Sequence, residues 1–294
     1  MKAKDVLLKL KFLKKKRVIF FALCIIVFLF IHSCMEFRTS DKKTLAYFEK
    51  AGLECSIEYM KTSSTGNTIR IVSAGQHKAN TVLFVHGAPG SGDAFYSYLK
   101  NPSLLEKAAL ITYDRPGYGY SGLGKAMTSV EAQAKILAEI IEDNNLHHVI
   151  LVGHSYGGPI AVYASLLSER IKGILLLAPA MDPEHEKYFW IGNFARWKLT
   201  RWTIPASWIV SADEKYTHEA ELRKLTSVWK EVKVPVVCLQ GDKDRLVPYE
   251  NLAFCEQHFN PDYFTGITLE KEDHFIPWTR EALVTREILK LLGD

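Results

Sequence analysis

The chain has 294 residues, 48% hydrophobic and 24% charged, an ordinary globular composition that excludes a disordered or fibrous protein. Its net charge of +4 is unevenly spread: residues 1–17 carry eight Lys/Arg and one Asp, leaving 29 Lys/Arg against 32 Asp/Glu in the remainder. The body is therefore slightly acidic, and a basic nucleic-acid-binding face is excluded.

The N-terminal tail reads as a targeting segment. Lys2, Lys4, Lys9, Lys11, Lys14, Lys15, Lys16 and Arg17 precede an unbroken apolar run of 14 residues, Val18 to Ile31. A spanning helix needs about 20 residues, whereas the apolar stretch of an export signal runs about 7–15. Length thus favours an export signal. The alternative is an uncleaved anchor that adds His32, Ser33 and Met35 to a short span. In both readings the positive flank stays cytoplasmic and the rest of the chain faces outward, exported or tethered to a membrane. Ile31-His32-Ser33-Cys34 resembles the lipobox of bacterial lipoproteins, which makes Cys34 a candidate lipidation site; His32 departs from that pattern. Residues 1–34 are read as signal or anchor and 35–53 as a linker.

From residue 54 strands come first. Cys55 to Met60 and Thr68 to Val72 alternate in polarity around the turn cluster Ser63 to Asn67, which predicts an antiparallel hairpin. Short apolar strands then alternate with helical patterns. The strands are Thr81 to Val85, Ala108 to Tyr113, His148 to Val152, Ile174 to Leu177, Pro235 to Leu239 and Phe264 to Leu269. The helices are Ser129 to Asp143, Ser155 to Leu167, Tyr249 to His258 and Thr279 to Leu292. Such alternation predicts an α/β fold: a mostly parallel central sheet flanked by helices, with sites outside the carboxyl ends of the strands. Met181 to about Val232 breaks the pattern and holds five of the six tryptophans. It is read as a small helical cap, 181–232, whose aromatics line a substrate pocket or glue the insertion to the sheet. The core is then 54–180 with 233–294. Cys24, Cys34, Cys55, Cys238 and Cys255 show neither paired nor metal-ligand spacing, so no structural disulfide and no metal site are expected.

Four strand-end loops carry chemistry. Gly153-His154-Ser155-Tyr156-Gly157 lies between a strand and a helix and has the form of a nucleophile elbow, in which flanking glycines permit a tight turn that presents Ser155. His86-Gly87-Ala88-Pro89-Gly90 follows an earlier strand. With the elbow it supplies two backbone donors for an oxyanion, the Ala88 and Tyr156 N–H groups. Pro89 has no N–H to give. Gly241-Asp242-Lys243-Asp244 offers two aspartates that compete to orient an imidazole, and spacing alone does not separate them. His274, in the loop after the last strand, is the expected general base. Asp273 beside it reads as a local charge.

The order Ser155, Asp, His274 and four separated motifs resemble the α/β-hydrolase fold superfamily over about residues 55–294. The motifs are His86-Gly87, Asp114-Arg115-Pro116-Gly117-Tyr118-Gly119-Tyr120-Ser121, the elbow, and Gly241-x-x-Asp244-x-x-Val247-Pro248. The resemblance implies Asp244 as the third triad member and a lid at the 181–232 position. It implies a serine hydrolase acting on a small-molecule acyl substrate, a carboxylic ester first, through an acyl-enzyme and without metal or organic cofactor. Ser155 stands where epoxide- and halide-processing relatives carry aspartate. A proline-iminopeptidase-like aminopeptidase is the first alternative, since Gly158 extends the elbow to Gly-x-Ser-x-Gly-Gly. That reading needs an acidic anchor among Glu184, Glu186 and Glu214. A carbon–carbon bond hydrolase and a non-catalytic binding protein on the same fold are the others.

Overall fold

The computed structural model describes residues 3–75, 78–190 and 192–293. Lys2 lies outside the described residues, as do the side chains of Lys4, Lys9, Lys11, Lys14 and Ile31. Helix α1 (Ala3–Cys34) leads into α2 (Asp41–Glu49). Strands β1 (Cys55–Lys61), β2 (Thr68–Ala74) and β3 (Asn80–Val85) follow, then α3 (Pro102–Lys107), β4 (Ala108–Tyr113), α4 (Val130–Asp143), β5 (Val149–His154), α5 (Gly157–Ser165) and β6 (Ile171–Leu177). Three helices occupy the insertion: α6 (Gly192–Arg196), α7 (Lys198–Arg201) and the long α8 (Ala206–Leu225). The chain closes with β7 (Val236–Gly241), α9 (Glu250–His258), β8 (Phe264–Leu269), α10 (Ile276–Thr279) and α11 (Glu281–Leu292).

The eight strands form one sheet in the order β1-β2-β4-β3-β5-β6-β7-β8. β1–β2 and β2–β4 are antiparallel, and the other five pairings are parallel. The central strands are apolar on both faces because helices cover both. Period-two alternation divides them: Leu83, Val85 and Leu151 pack with Leu137, Ile141 and Ile160 on one side. Val82, Phe84 and Val152 pack with Val284 and Ile288 on the other.

The register sets the site. Val85 pairs with Gly153, so the loops after β3 and β5 leave the sheet side by side. Gly241 pairs with Leu269, so the loops after β7 and β8 do the same. All four motif loops therefore meet at one edge, where α/β sheets place their ligands.

Two segments differ from expectation. Residues 35–53, read as a linker, carry α2, whose Thr44 and Phe48 are buried one helical turn apart. The last helical stretch, expected from Thr279 to Leu292, is two helices parted at Arg280, because Pro277 opens a separate short turn.

Candidate active site

Ser155 sits at the tip between β5 and α5 with φ of +54°, a left-handed conformation that is strained for a side chain of its kind. The elbow glycines make the turn possible. A Cβ on Gly153 would lie 2.8 Å from the Gly157 carbonyl oxygen, and one on Gly157 would lie 2.3 Å from that of Val85. Gly87 allows the neighbouring loop to come close: a Cβ there would sit 3.0 Å from the Ser155 Cβ. The Ala88 and Tyr156 N–H groups belong to the residues that follow Gly87 and Ser155. Among the described residues neither donates to another backbone carbonyl or to a side chain.

The two aspartates that competed in the sequence have different surroundings. Asp244 is buried, and its Oδ2 accepts from His274 Nδ1 at 2.7 Å. Its Oδ1 accepts from the Leu246 and Val247 N–H groups, each at 2.8 Å, and Gln240 Nε2 lies 3.3 Å from Oδ2. Asp242 instead accepts from the Lys271 N–H at 2.7 Å and lies beside the Lys243 ammonium. Asp273 accepts from the Phe275 N–H within its own loop. The structure thus joins Asp244 to His274 and leaves Asp242 and Asp273 apart from it.

His154, the residue before Ser155, contacts His274. The His154 ring lies 4.8 Å from that of His274, and its Nε2 donates to the His274 carbonyl oxygen at 3.2 Å. Among the described residues no hydrogen bond joins Ser155 Oγ to His274. Nucleophile–base bonds are often long in unliganded sites and tighten on substrate binding. Burial, and then the neighbouring His274, push the His154 imidazole down to about 3, so it stays neutral beside the candidate base. An imidazole held at Nδ1 by a buried carboxylate can take a proton at Nε2 and be stabilised once charged.

Sequence reasoning singled out the motif at 114–121 but not the side-chain network it makes behind the loop at 86–90. His86 Nε2 accepts from the Arg115 N–H at 2.9 Å, so its Nδ1 carries the proton and donates to the Gly87 carbonyl oxygen at 2.7 Å. Burial first, and the Arg115 charge second, hold His86 well below its ordinary value. Arg115, fully buried, donates from Nε to the His86 carbonyl oxygen and from Nη2 to that of Gly87. The same guanidinium forks onto Glu214 of α8, Nη1 to Oε1 at 2.7 Å and Nη2 to Oε2 at 3.1 Å. Tyr118 and Gln133 also donate to Glu214, at 2.6 and 2.9 Å. One buried polar network therefore ties the loop at 86–90, the loop after β4, α4 and the insertion. His218 of α8 adds a second tie, its ring stacked on Tyr156 at 4.3 Å.

The three carboxylates considered as amine anchors are all paired. Glu184 meets Arg223, Glu186 meets Lys215 and His218, and Glu214 is spent on Arg115. The five tryptophans of 181–232 divide as sharply. Trp229 is buried against Phe259, and Trp208 lines a cavity of about 300 Å³ within the insertion. Trp190, Trp197 and Trp202 are largely exposed.

The comparisons with known proteins agree with this architecture. The model of the "alpha/beta hydrolase fold" family matches residues 80–201. The curated "Putative esterase/lipase 3" of Mycoplasma pneumoniae is 26% identical over 197 residues, covering 57% of this chain and 70% of that protein. Among solved structures, an esterase from Exiguobacterium antarcticum superposes with a TM-score of 0.62 at 20% identity, over 80% of this chain and 99% of its own. A bacterial membrane phospholipase A gives 0.64 at 17% identity, over 96% and 98%. With its eight-stranded sheet and its matched relatives, the chain has the α/β-hydrolase fold, matches that family's model over residues 80–201, and is a hydrolase similar to esterases and lipases.

Proposed function

We propose that the chain is a membrane-tethered serine esterase in which Ser155, His274 and Asp244 act as a catalytic triad on a small carboxylic ester. The observation that carries the reading is the buried 2.7 Å Asp244–His274 bond beside a serine held at φ of +54°. His274 Nε2 takes the Ser155 proton as Oγ attacks the carbonyl carbon. The Ala88 and Tyr156 N–H groups receive the negative oxygen. His274 then protonates the leaving alcohol, and water activated by the same nitrogen releases the acid from the acyl-enzyme. Proton transfer and backbone donors suffice for these steps, so the chemistry calls for no metal or organic cofactor. The segment 181–232 acts as a lid, joined to the oxyanion loop through Glu214 and Arg115.

Ester hydrolysis is favoured over an aminopeptidase activity because a substrate ammonium needs an unpaired carboxylate. Glu184, Glu186 and Glu214 each already hold a cation. The tether is read from α1, whose stretch Lys15–Cys34 is long and apolar enough to cross a membrane, with Lys15, Lys16 and Arg17 on the cytoplasmic side. Lipidation of Cys34 after cleavage would tether the same body at the same point.

The full chain in detergent, screened against p-nitrophenyl esters and amino-acid p-nitroanilides, tests the substrate class. Esters are expected to turn over and anilides to stay intact. Anilide cleavage without ester cleavage would overturn the assignment in favour of an aminopeptidase.

A further inference from the structure

The insertion exposes an aromatic face that the catalytic reading does not use. Trp190, Trp197 and Trp202 are 73%, 62% and 75% exposed, and Leu199 between them is 86% exposed. These residues sit on and around the short helices α6 and α7, with Arg196, Lys198 and Arg201 interleaved in sequence; Arg196 lies over the Tyr216 ring and Arg201 pairs with Asp213. Scattered exposed apolar residues are ordinary, but a cluster of this size marks an interaction surface. Tryptophan flanked by basic residues is the composition of the bilayer–water boundary, where the indole ring is half-apolar and anionic headgroups attract cations.

The chain itself says what covers this face. The 17 uncharged residues 18–34 run about 26 Å as a helix, close to the thickness of a bilayer's hydrocarbon core, which puts Cys34 near its outer boundary. The next residues are fastened to the insertion. Met35 lines the cavity inside it, together with Phe189 and Trp208. The Glu36 carboxylate accepts from the Ala206 and Ser207 N–H groups at 2.9 and 3.0 Å, capping the start of α8, and Ser207 Oγ donates to the Glu36 carbonyl oxygen. The Phe37 ring lies 6.2 Å from that of Trp208. No slack separates the end of the apolar helix from the aromatic insertion.

We propose that the face formed by Trp190, Trp197, Leu199 and Trp202 is seated in the bilayer interface, with the lipid surface as its partner. This rests on the tether reading. It extends that reading from an attachment to an orientation: the insertion lies against the membrane, and esters dissolved in the bilayer reach the chain on the side of its lid.

Tryptophan fluorescence of the full chain in phosphatidylcholine–phosphatidylglycerol vesicles, with and without bromine on the lipid acyl chains, tests the seat. Bromine is expected to quench the wild-type emission. The triple variant W190F/W197F/W202F is expected to lose more than half of that quenching, whereas W229F, in the core, keeps it. All three tryptophans are exposed, so the triple variant is expected to keep the wild-type circular dichroism spectrum. Equal emission in brominated and plain lipid, or a triple variant quenched as strongly as wild type, would overturn the proposal. Pairing of the face with a second copy would leave the tryptophans unquenched and count against it equally. Alkaline carbonate extraction separates the two readings. A chain retained by the membrane but unquenched contradicts the seat alone; a chain released by carbonate contradicts the tether and the seat together.

Discussion

Replacing Asp244 by asparagine is expected to lower kcat for ester hydrolysis about 10⁴-fold while leaving the fold intact. The size of the effect follows from the four donors around the carboxylate. Oδ1 receives the Leu246 and Val247 N–H groups, so the amide oxygen of an asparagine is held there. Its NH2 group then faces His274 Nδ1 in place of Oδ2. A donor meeting that nitrogen forces the imidazole into the tautomer that carries its proton on Nε2. In that form it has no lone pair with which to accept the Ser155 proton. Asp242→Asn is the control: its Oδ1 accepts from the Lys271 N–H, which an asparagine oxygen can also do, and it does not touch the His274 ring, so the rate should stay near wild type. Steady-state kinetics of both variants on one p-nitrophenyl ester decide it. A loss for Asp244→Asn no larger than that for Asp242→Asn would remove Asp244 from the mechanism.

Arg115→Met is expected to destabilise the folded chain by about 3–5 kcal/mol, because it strands the Glu214 carboxylate where water does not reach. The pair itself contributes far less than that figure. Both ions are fully desolvated, and their attraction mainly offsets the cost of burying them. The double variant Arg115→Met/Glu214→Leu, which removes both charges, should therefore recover much of the lost stability. Urea denaturation midpoints of the wild type and the two variants measure this. A single variant as stable as wild type, or a double variant less stable than the single, would show that the network is not what holds the insertion to the oxyanion loop. The Arg115 side chain also donates to the His86 and Gly87 carbonyl oxygens, so activity should fall together with stability.

The contrast between these two sites explains what was legible in the sequence. The strand-end placement of Ser155, His274 and the elbow glycines was readable because each follows a short apolar strand, and strand ends in a parallel sheet converge. The choice between Asp242 and Asp244 was not readable from spacing: two residues in a loop differ only in which way the backbone turns. The Leu246 and Val247 N–H groups, which settle the orientation of Asp244, carry no side-chain signature.

The Arg115–Glu214 pair was less accessible still. Its partners lie 99 positions apart, on a loop and in an insertion without strand register to align them. Glu214 stood out in the sequence only as one of three candidate anchors for a substrate amine, with nothing to pair it with Arg115. Helix α2 was readable in principle: Ser40 caps it by accepting from the Lys43 N–H, and Thr44 and Phe48 mark a buried stripe. Its charged exterior and position between a targeting segment and the first strand made it look like a linker. The tryptophans of 181–232 stand out as a group in the sequence, but composition cannot assign them to faces. Burial of Trp229 and exposure of Trp190, Trp197 and Trp202 depend on a packing that only the assembled insertion reveals.

Covalent labelling with an acyl-fluorophosphonate probe, read by mass spectrometry of the modified peptide, tests the central claim most directly. The probe is expected to add to Ser155 Oγ in the wild-type chain, and the Ser155→Ala variant is expected to carry none. Labelling at another residue, equal labelling of Ser155→Ala, or a folded wild-type chain left unmodified would contradict the assignment of Ser155 as the nucleophile.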